Sequence, residues 1–511
     1  MKATHLRWLA VGALLCVVLA GALRLGANPA ARLGHGQLGA RVSAQGTARL
    51  DLPIVGRNYL DPSHRMSRFG VGVPPVGPTA VSLSALSSLN AGWYLDWTAT
   101  PAPSRPGGVS FAQLVNLRED GTSALSGAAL ATAVRANPGA LWLIGNEPDS
   151  PLQNNVTPDQ YAQAYHELYR AIKAGDPTAL VSAGGIVQPT PLRMRYLDRI
   201  LEAYTSRYGT PMPVDVWNTH IYILREEKDS WGAYYPPGIS DAEGKALGRL
   251  YEVEDHIDIA VFQEMVDRFR QWMAERGYQD CPLIITEFGV ILPWDYFVED
   301  PEDRAGADAK VLAFMDASID YLLNRKDPTI GCPYDDDRLV QRWAWFALTG
   351  SWSGWLCEQD TGEVSVYGRR YAELAASQPK TVNLLPVDVW AEAGSGHGAH
   401  VGVPTRLQAK ITNNGEVPTT VPVAVRFYEG DPSKGGVQIG DTQYITALDG
   451  GAALAIASVA WTPSEARAYD LYVQVDPLNA IAETNEGDNT LPAGLEVTYP
   501  VGLPMIRAEA R

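Results

Sequence analysis

Two glutamates stand out by their setting. Glu147 lies in Ile144-Gly145-Asn146-Glu147-Pro148-Asp149, directly after the apolar run Leu141–Gly145. Glu287 follows the apolar run Leu283–Thr286 in Ile284-Ile285-Thr286-Glu287-Phe288-Gly289. Cleavage of a glycosidic bond needs two carboxyl groups on opposite sides of it. One protonates the leaving oxygen, and the other attacks the anomeric carbon or activates water. A carboxylate after a strand can also cap the next helix, so each glutamate alone has a structural explanation. Two of them, each flanked by Gly or Pro at the end of an apolar run, point to chemistry.

Such a pair has to be positioned by elements far apart in the chain. From about Phe69 to Ser377 short apolar runs alternate with helical patterns, as in repeated βα units with a parallel sheet. The runs are Phe69–Val73, Ala91–Leu95, Ser110–Asn116, Leu141–Gly145, Leu180–Gly184, Val214–Ile221, Leu283–Thr286 and Val340–Ala347. They are continuously apolar, as strands covered on both faces must be. Helices are expected over Pro158–Ala174 (with Thr157 as N-cap), Leu192–Tyr208, Ile257–Arg276 and Asp308–Asn324. Eight strands favour a closed (β/α)8 TIM barrel over an open doubly wound sheet, and put the active face at the strands' C-terminal ends. Glu147 and Glu287 then end the fourth and seventh strands, where inward side chains can sit about 5 Å apart.

The motifs resemble those of clan A glycoside hydrolases. Asn146-Glu147-Pro148 is similar to that clan's acid/base signature at the end of strand four, and Thr286-Glu287-Phe288-Gly289 to its strand-seven nucleophile motif. His220-Ile221-Tyr222 resembles its His-x-Tyr, whose Tyr hydrogen-bonds the nucleophile and whose His lines the sugar site. The resemblance covers roughly residues 69–377 and implies a retaining hydrolase with Glu147 as acid/base, Glu287 as nucleophile and no cofactor. Asn146 is placed to bond the sugar 2-hydroxyl, and burial with the charge of Glu287 is expected to raise the Glu147 pKa. The run Asn154-Asn155-Val156-Thr157-Pro158 after Asn146–Asp149 most resembles a β-1,3-glucanase-like branch.

The chain has 14 Trp and 23 Tyr against nine Phe, a balance that suits flat sugar rings as well as ordinary cores. Trp93, Tyr94, Trp97, Trp217, Trp343 and Trp345 flank the expected strands. Trp343 and Trp345 share a parity and face one side of the sheet. Trp345 resembles the clan's strand-eight tryptophan that floors a sugar subsite, with packing under the helices as the other reading. Trp97 and Trp294 are further candidates for sugar contact. Two loops, Arg225–Asp255 with Trp231, Tyr234 and Tyr235, and Leu292–Gly306 with Trp294, Asp295 and Tyr296, are long enough to shape a cleft.

After Pro379 period-two strands replace helical patterns. Leu407/Ala409/Ile411, Val423/Val425/Phe427 and Leu471/Val473/Val475 alternate with polar neighbours, describing a small all-β immunoglobulin-like sandwich. Val475-Asp476-Pro477 and Glu483–Asn489 resemble the terminal turn of the bacterial cell-adhesion-related (CARDB-like) domain. The acidic residues there could bind calcium or form a hydrogen-bonded turn. Asp335-Asp336-Asp337 has the same two readings. No His/Cys spacing resembles a zinc site. Cys281 and Cys332, both before strands, could bridge, leaving Cys357 unpaired.

The 511-residue chain is 46% hydrophobic and 19% charged, which argues against bulk disorder. A formal charge of −17 argues against nucleic acid or an anionic membrane as main partner. Lys2, His5 and Arg7 precede the apolar run Trp8–Leu23, which with the small residues around Ala27–Ala31 reads as a signal peptide or anchor over residues 1–33. Cys16 within it lacks the small residues of a lipid-modified start. A tether is expected over 34–58, the barrel over 59–378 and the sandwich over 383–499. The expected protein is a secreted or cell-surface monomer acting on an extracellular β-linked polysaccharide. The alternatives are a surface binding module without turnover and a transglycosylase.

Overall fold

The computed structural model describes residues 66–74, 83, 85–350, 353–393, 396–397 and 399–500. The expected signal segment, with Cys16, and the tether lie outside the described residues. No helix among those described is long and apolar enough to cross a membrane.

The first part is an α/β domain. Its strands are β1 Met66–Gly72, β2 Ala91–Leu95, β3 Ser110–Phe111, β4 Gln113–Val115, β5 Leu141–Asn146, β6 Leu180–Gly185, β7 Trp217–Ile221, β8 Leu283–Phe288 and β9 Arg342–Phe346. They form a six-stranded sheet in the order β3-β2-β1-β9-β8-β7 and a three-stranded one in the order β4-β5-β6. Every pairing is parallel. Only Ala112 separates β3 from β4, and the parallel bridges Ser182↔Val216 and Ile186↔Thr219 tie β6 to the β7 segment.

Helices Pro158–Gly175, Pro191–Tyr208, Ile259–Glu275 and Arg304–Asn324 fall on the expected segments. The Thr157 N–H reaches the Gln160 side chain at 3.0 Å, closing the first of them as a capping box. Two cores result. A large one joins the outer strand faces to the helices. A smaller one lies among the strands: Trp93, Leu95, Trp97, Ala112, Leu114, Leu143, Leu180, Val216, Ile284 and Ala344.

The C-terminal part is all-β. Its strands are β10 Leu384–Ala393, β11 Gly396–His397, β12 Ala399–His400, β13 Thr405–Asn413, β14 Val423–Glu429, β15 Val437–Ile445, β16 Ala453–Trp461, β17 Ala468–Val475 and β18 Thr490–Thr498. Two sheets, β11-β10-β13-β16 and β12-β18-β17-β14-β15, enclose one core. The alternating apolar residues of β13, β14 and β17 read from the sequence are all in it.

The two parts are joined at the N-terminal end of the parallel strands. Arg68 of β1 is fully buried. Its guanidinium meets Asp335 through two bonds (2.7 and 2.6 Å) and Glu416 of the sandwich at 2.8 Å. It also donates to the carbonyls of Gln341 and Asn414. Leu454 of β16 enters the inner core of the α/β domain. Asp335, the first of the three consecutive aspartates, thus serves a buried ion-pair cluster.

Candidate active site

Glu147 and Glu287 face one another at the C-terminal ends of β5 and β8. One ligand atom from each, together with one ring nitrogen of His220, lies within 4.8 Å of the others, and all three side chains are buried.

Backbone irregularities aim both glutamates. Strict alternation along β8, with Ile284 facing in, would turn Glu287 to the outer layer. The ladder instead slips by one residue between Ile285 and Phe288 against β9, and between Thr219 and His220 against β7. A bulge of this kind inserts one residue and re-aims those that follow. Glu287 is therefore turned inward, while Phe288 packs outward against Trp345 with ring centroids 5.1 Å apart. Glu147 follows β5 in the left-handed region, φ 42°, sparsely populated by non-glycine residues. Its N–H bonds the Gly185 carbonyl at 3.0 Å.

The surroundings of the two carboxyls differ. Glu287 Oε1 accepts the Trp97 indole N–H at 2.6 Å, and Oε2 accepts the Tyr222 hydroxyl at 2.9 Å. His220 Nδ1 lies 2.9 Å from Glu147 Oε1, and its Nε2 lies 3.5 Å from Glu287 Oε1. Burial, then the charge of Asp149, pushes the Glu147 pKa up to about 8, with Arg193 opposing. The charge named from the sequence, Glu287, is not among those causes. The Glu287 pKa is raised as well, by burial first and also by the charge of Glu147, with His220 and the bonds from Trp97 and Tyr222 opposing. Burial lowers His220, favouring a neutral imidazole.

Asn146 is buried, and its Oδ1 has no partner among the described residues. Its N–H is fixed by Asn154 Oδ1 at 2.7 Å, which also takes the Leu117 N–H. Asn154 Nδ2 continues to Asn116, whose amide holds the Trp97 carbonyl. The Asn154–Pro158 run thus carries a network that positions Asn146 and Trp97.

The expected aromatic lining is corrected. Trp345 does not face the pocket: Ala344 belongs to the inner core, so Trp343 and Trp345 point to the outer layer. There the Trp345 indole N–H bonds the Gly354 carbonyl at 2.6 Å. Trp217 also points outward, against Trp272, and Trp93 sits in the inner core beneath Arg342. Phe346 takes the inward place, 5.6 Å from the Trp97 ring and 5.9 Å from that of Tyr222. Trp294 starts a short turn in the loop after β8, where the Arg304 guanidinium covers its ring at 5.3 Å. Cys281 and Cys332 are not bridged; both are free thiols, and Cys281 Sγ faces the Val214 carbonyl at 3.6 Å. In the sandwich, Glu483 takes the Leu384 N–H and Asn489 Nδ2, and Asp488 takes Asn383 Nδ2 at 3.1 Å, a hydrogen-bonded turn.

Three further supports were not read from the sequence. The first is buried Arg193, which pairs with Asp149, two residues past Glu147, and at 2.8 Å with Glu226 of the loop after β7. The second is buried His256, just past the first long loop, which ties the residues leading into both: Nδ1 meets the Ile223 carbonyl at 3.2 Å and Nε2 the Ile291 N–H at 3.1 Å. The third is Gly185, where an added Cβ would stand 2.5 Å from His220 Cδ2 and Nε2. Gly185→Ala is expected to displace His220 and lower turnover about 10²-fold with the melting transition still cooperative; unchanged kcat would show that the imidazole's place is unimportant.

Residues 72–231 match the family model described as "Glycosyl hydrolase catalytic core", and residues 392–493 match CARDB. None of the curated proteins matches this chain. Similar solved structures include a GH128 (subgroup I) endo-β-1,3-glucanase from Amycolatopsis mediterranei in complex with laminaritriose. It is 19% identical over 60% of this chain and 99% of that one, with a TM-score of 0.40. A GH128 (subgroup II) endo-β-1,3-glucanase from Pseudomonas viridiflava is 19% identical over 60% and 98%, with a TM-score of 0.39. The CARDB domain of a Pyrococcus furiosus protein, in complex with di-metal ions, is 19% identical over 23% and 89%, with a TM-score of 0.19.

Proposed function

We propose that this chain is an exported retaining glycoside hydrolase that cleaves β-1,3-linked glucan. The observation that carries the reading is the buried pair Glu147 and Glu287, with one oxygen of each within 4.8 Å of the other. That spacing suits direct attack, for which carboxyls stand about 5–5.5 Å apart; an inverting pair is about 6.5–9.5 Å apart, leaving room for water. The fold reading is part of the same proposal: the two parallel sheets are arcs of one (β/α)8 barrel, continuous through Ala112 on one side and the β6–β7 bridges on the other.

The unequal surroundings assign the roles. Glu287, whose two oxygens accept the Trp97 and Tyr222 donors that oppose the upward push of burial, acts as nucleophile. Glu147 is the group that keeps a proton and acts as acid. Glu147 protonates the glycosidic oxygen as Glu287 attacks the anomeric carbon, giving a covalent glycosyl-enzyme. The Glu147 carboxylate then takes a proton from the water that releases the sugar. Asn146 Oδ1, with no donor of its own, is met by a sugar hydroxyl. Phe346 replaces Trp345 as the apolar floor beside the pair. His220 lines the sugar site between the two carboxyls, and Trp97 and Tyr222 are positioning residues. Linkage follows from the Asn146–Asp149 and Asn154–Pro158 runs. Export, from the N-terminal run, brings a monomeric enzyme to a polymer outside the cell.

Reducing-sugar release by the full chain, tested against β-1,3-glucan, β-1,4-glucan, xylan and mannan, checks the reading. Release from β-1,3-glucan with the anomeric configuration kept is expected. Binding without release would favour a surface binding module. Longer oligosaccharides at high acceptor concentration would mark a transglycosylase.

A further inference from the structure

We infer that Asp149, Arg193 and Glu226 are positioning residues for the acid step, fastening the long loop after β7 to the turn that carries Glu147 and holding an excess negative charge beside it. The fastening stands on geometry alone; its part in an acid step rests on the catalytic reading above.

Arg193 lies in the first turn of the helix Pro191–Tyr208 and is gripped from two sides. Toward the acid, its Nη1 bonds the Asp149 carboxylate and, at 3.0 Å, the Asp149 carbonyl. Glu147 has a left-handed backbone, and such a conformation persists only where the surroundings over-determine it. The guanidinium supplies part of that hold, together with the Ser150 N–H on the Glu147 carbonyl at 3.0 Å. Toward the loop, Nε bonds Glu226 at 2.8 Å, and Nη2 bonds the Ala233 and Tyr234 carbonyls at 2.8 and 3.0 Å. Glu226 also takes the Thr190 hydroxyl at 2.7 Å and the Arg249 N–H at 3.0 Å. One side chain thus spans the acid's turn and the loop.

The charges in this cluster do not balance. All three side chains are fully buried, and two carboxylates share one guanidinium. Glu226 meets donors on both oxygens, and Asp149 meets Arg193 and the Val187 N–H. Among the described residues only His220 Nδ1 reaches the Glu147 carboxyl. A buried negative excess favours a proton on the neighbour with the fewest donors, and that neighbour is Glu147. Its pKa of about 8, raised by burial and then by Asp149 with Arg193 opposing, accords with this. The other titratable groups facing Glu147 are His220 and Tyr222 from the end of β7 and Glu287 from β8. The Asp149 charge favours a protonated His220, so removing it leaves that ring neutral.

The infrared band of the protonated Glu147 carboxyl, isolated in each background as the difference made by Glu147→Gln, gives a titration without substrate. Its midpoint should move down by about one pH unit in Asp149→Asn and by less in Glu226→Gln, both checked for cooperative melting. In each variant Arg193 keeps one carboxylate, so the pair that remains is balanced in charge. On the alkaline side kcat/KM for β-1,3-glucan should fall about tenfold in Asp149→Asn, with little change on the acid side. A merely structural role would lower activity at every pH and leave the midpoint in place. A midpoint unmoved in both variants overturns the inference, and a shift in Asp149→Asn alone overturns the part given to the loop. A chain that shows both shifts but hydrolyses no glucan fails only the catalytic reading.

Discussion

Glu287→Gln is expected to lower turnover of β-1,3-glucan by on the order of 10⁴-fold or more, through loss of the attacking oxygen. The change is nearly isosteric: the Trp97 N–H keeps an amide oxygen as acceptor, and the new NH2 can donate to the Tyr222 hydroxyl, so binding of the unreacted oligosaccharide should survive. Initial rates together with a binding isotherm make the check; full activity would remove the nucleophile assignment. The parent enzyme should lose activity as pH rises through about 8, where Glu147 gives up its proton.

The same group links acidity to stability. The folded-state pKa of Glu147 is raised from its ordinary 4.5 to about 8, so the folded chain holds this proton more tightly than the unfolded one. That contribution is complete below about pH 4.5 and is lost as pH rises through about 8. Glu147→Gln should therefore melt higher than the parent at pH 8 and much like it at pH 4, while losing acid-assisted turnover.

Arg68→Met is expected to destabilise the chain by about 3–5 kcal/mol, because it leaves Asp335 and Glu416 buried without their cation. Burial opposes the charge on Arg68, and Asp335 and then Glu416 restore it. Replacing all three residues with apolar side chains of similar volume should recover most of the loss. Denaturant melts of the single and triple variants decide the matter; a neutral Arg68→Met would mean that water reaches the cluster.

Strand positions and the alternating sandwich residues were legible because burial on both faces, or on one, leaves a direct trace in apolar spacing. Glu147, Glu287, His220 and Tyr222 were legible because motif and strand end coincide. Trp345 was misplaced because parity gives a shared side but not which side; the inner core at Ala344 settles that. Trp97 was read as a sugar-facing ring, and nothing in its type or spacing marks the bond of its N–H to Glu287. The bulge at Thr286–Glu287 leaves no mark in residue types, since it depends on register with two neighbouring strands. Arg193, Glu226 and Glu416 looked like any charged residues, since their partners lie 33 to 348 positions away.

The seating of Leu454 and Glu416 at the foot of the parallel strands bears on how such a gene can be shuffled. A copy carrying only residues 66–376 would pass on an open base and a stranded guanidinium. The unit expected to fold well is therefore the tandem, with the sandwich as the keel of the α/β half.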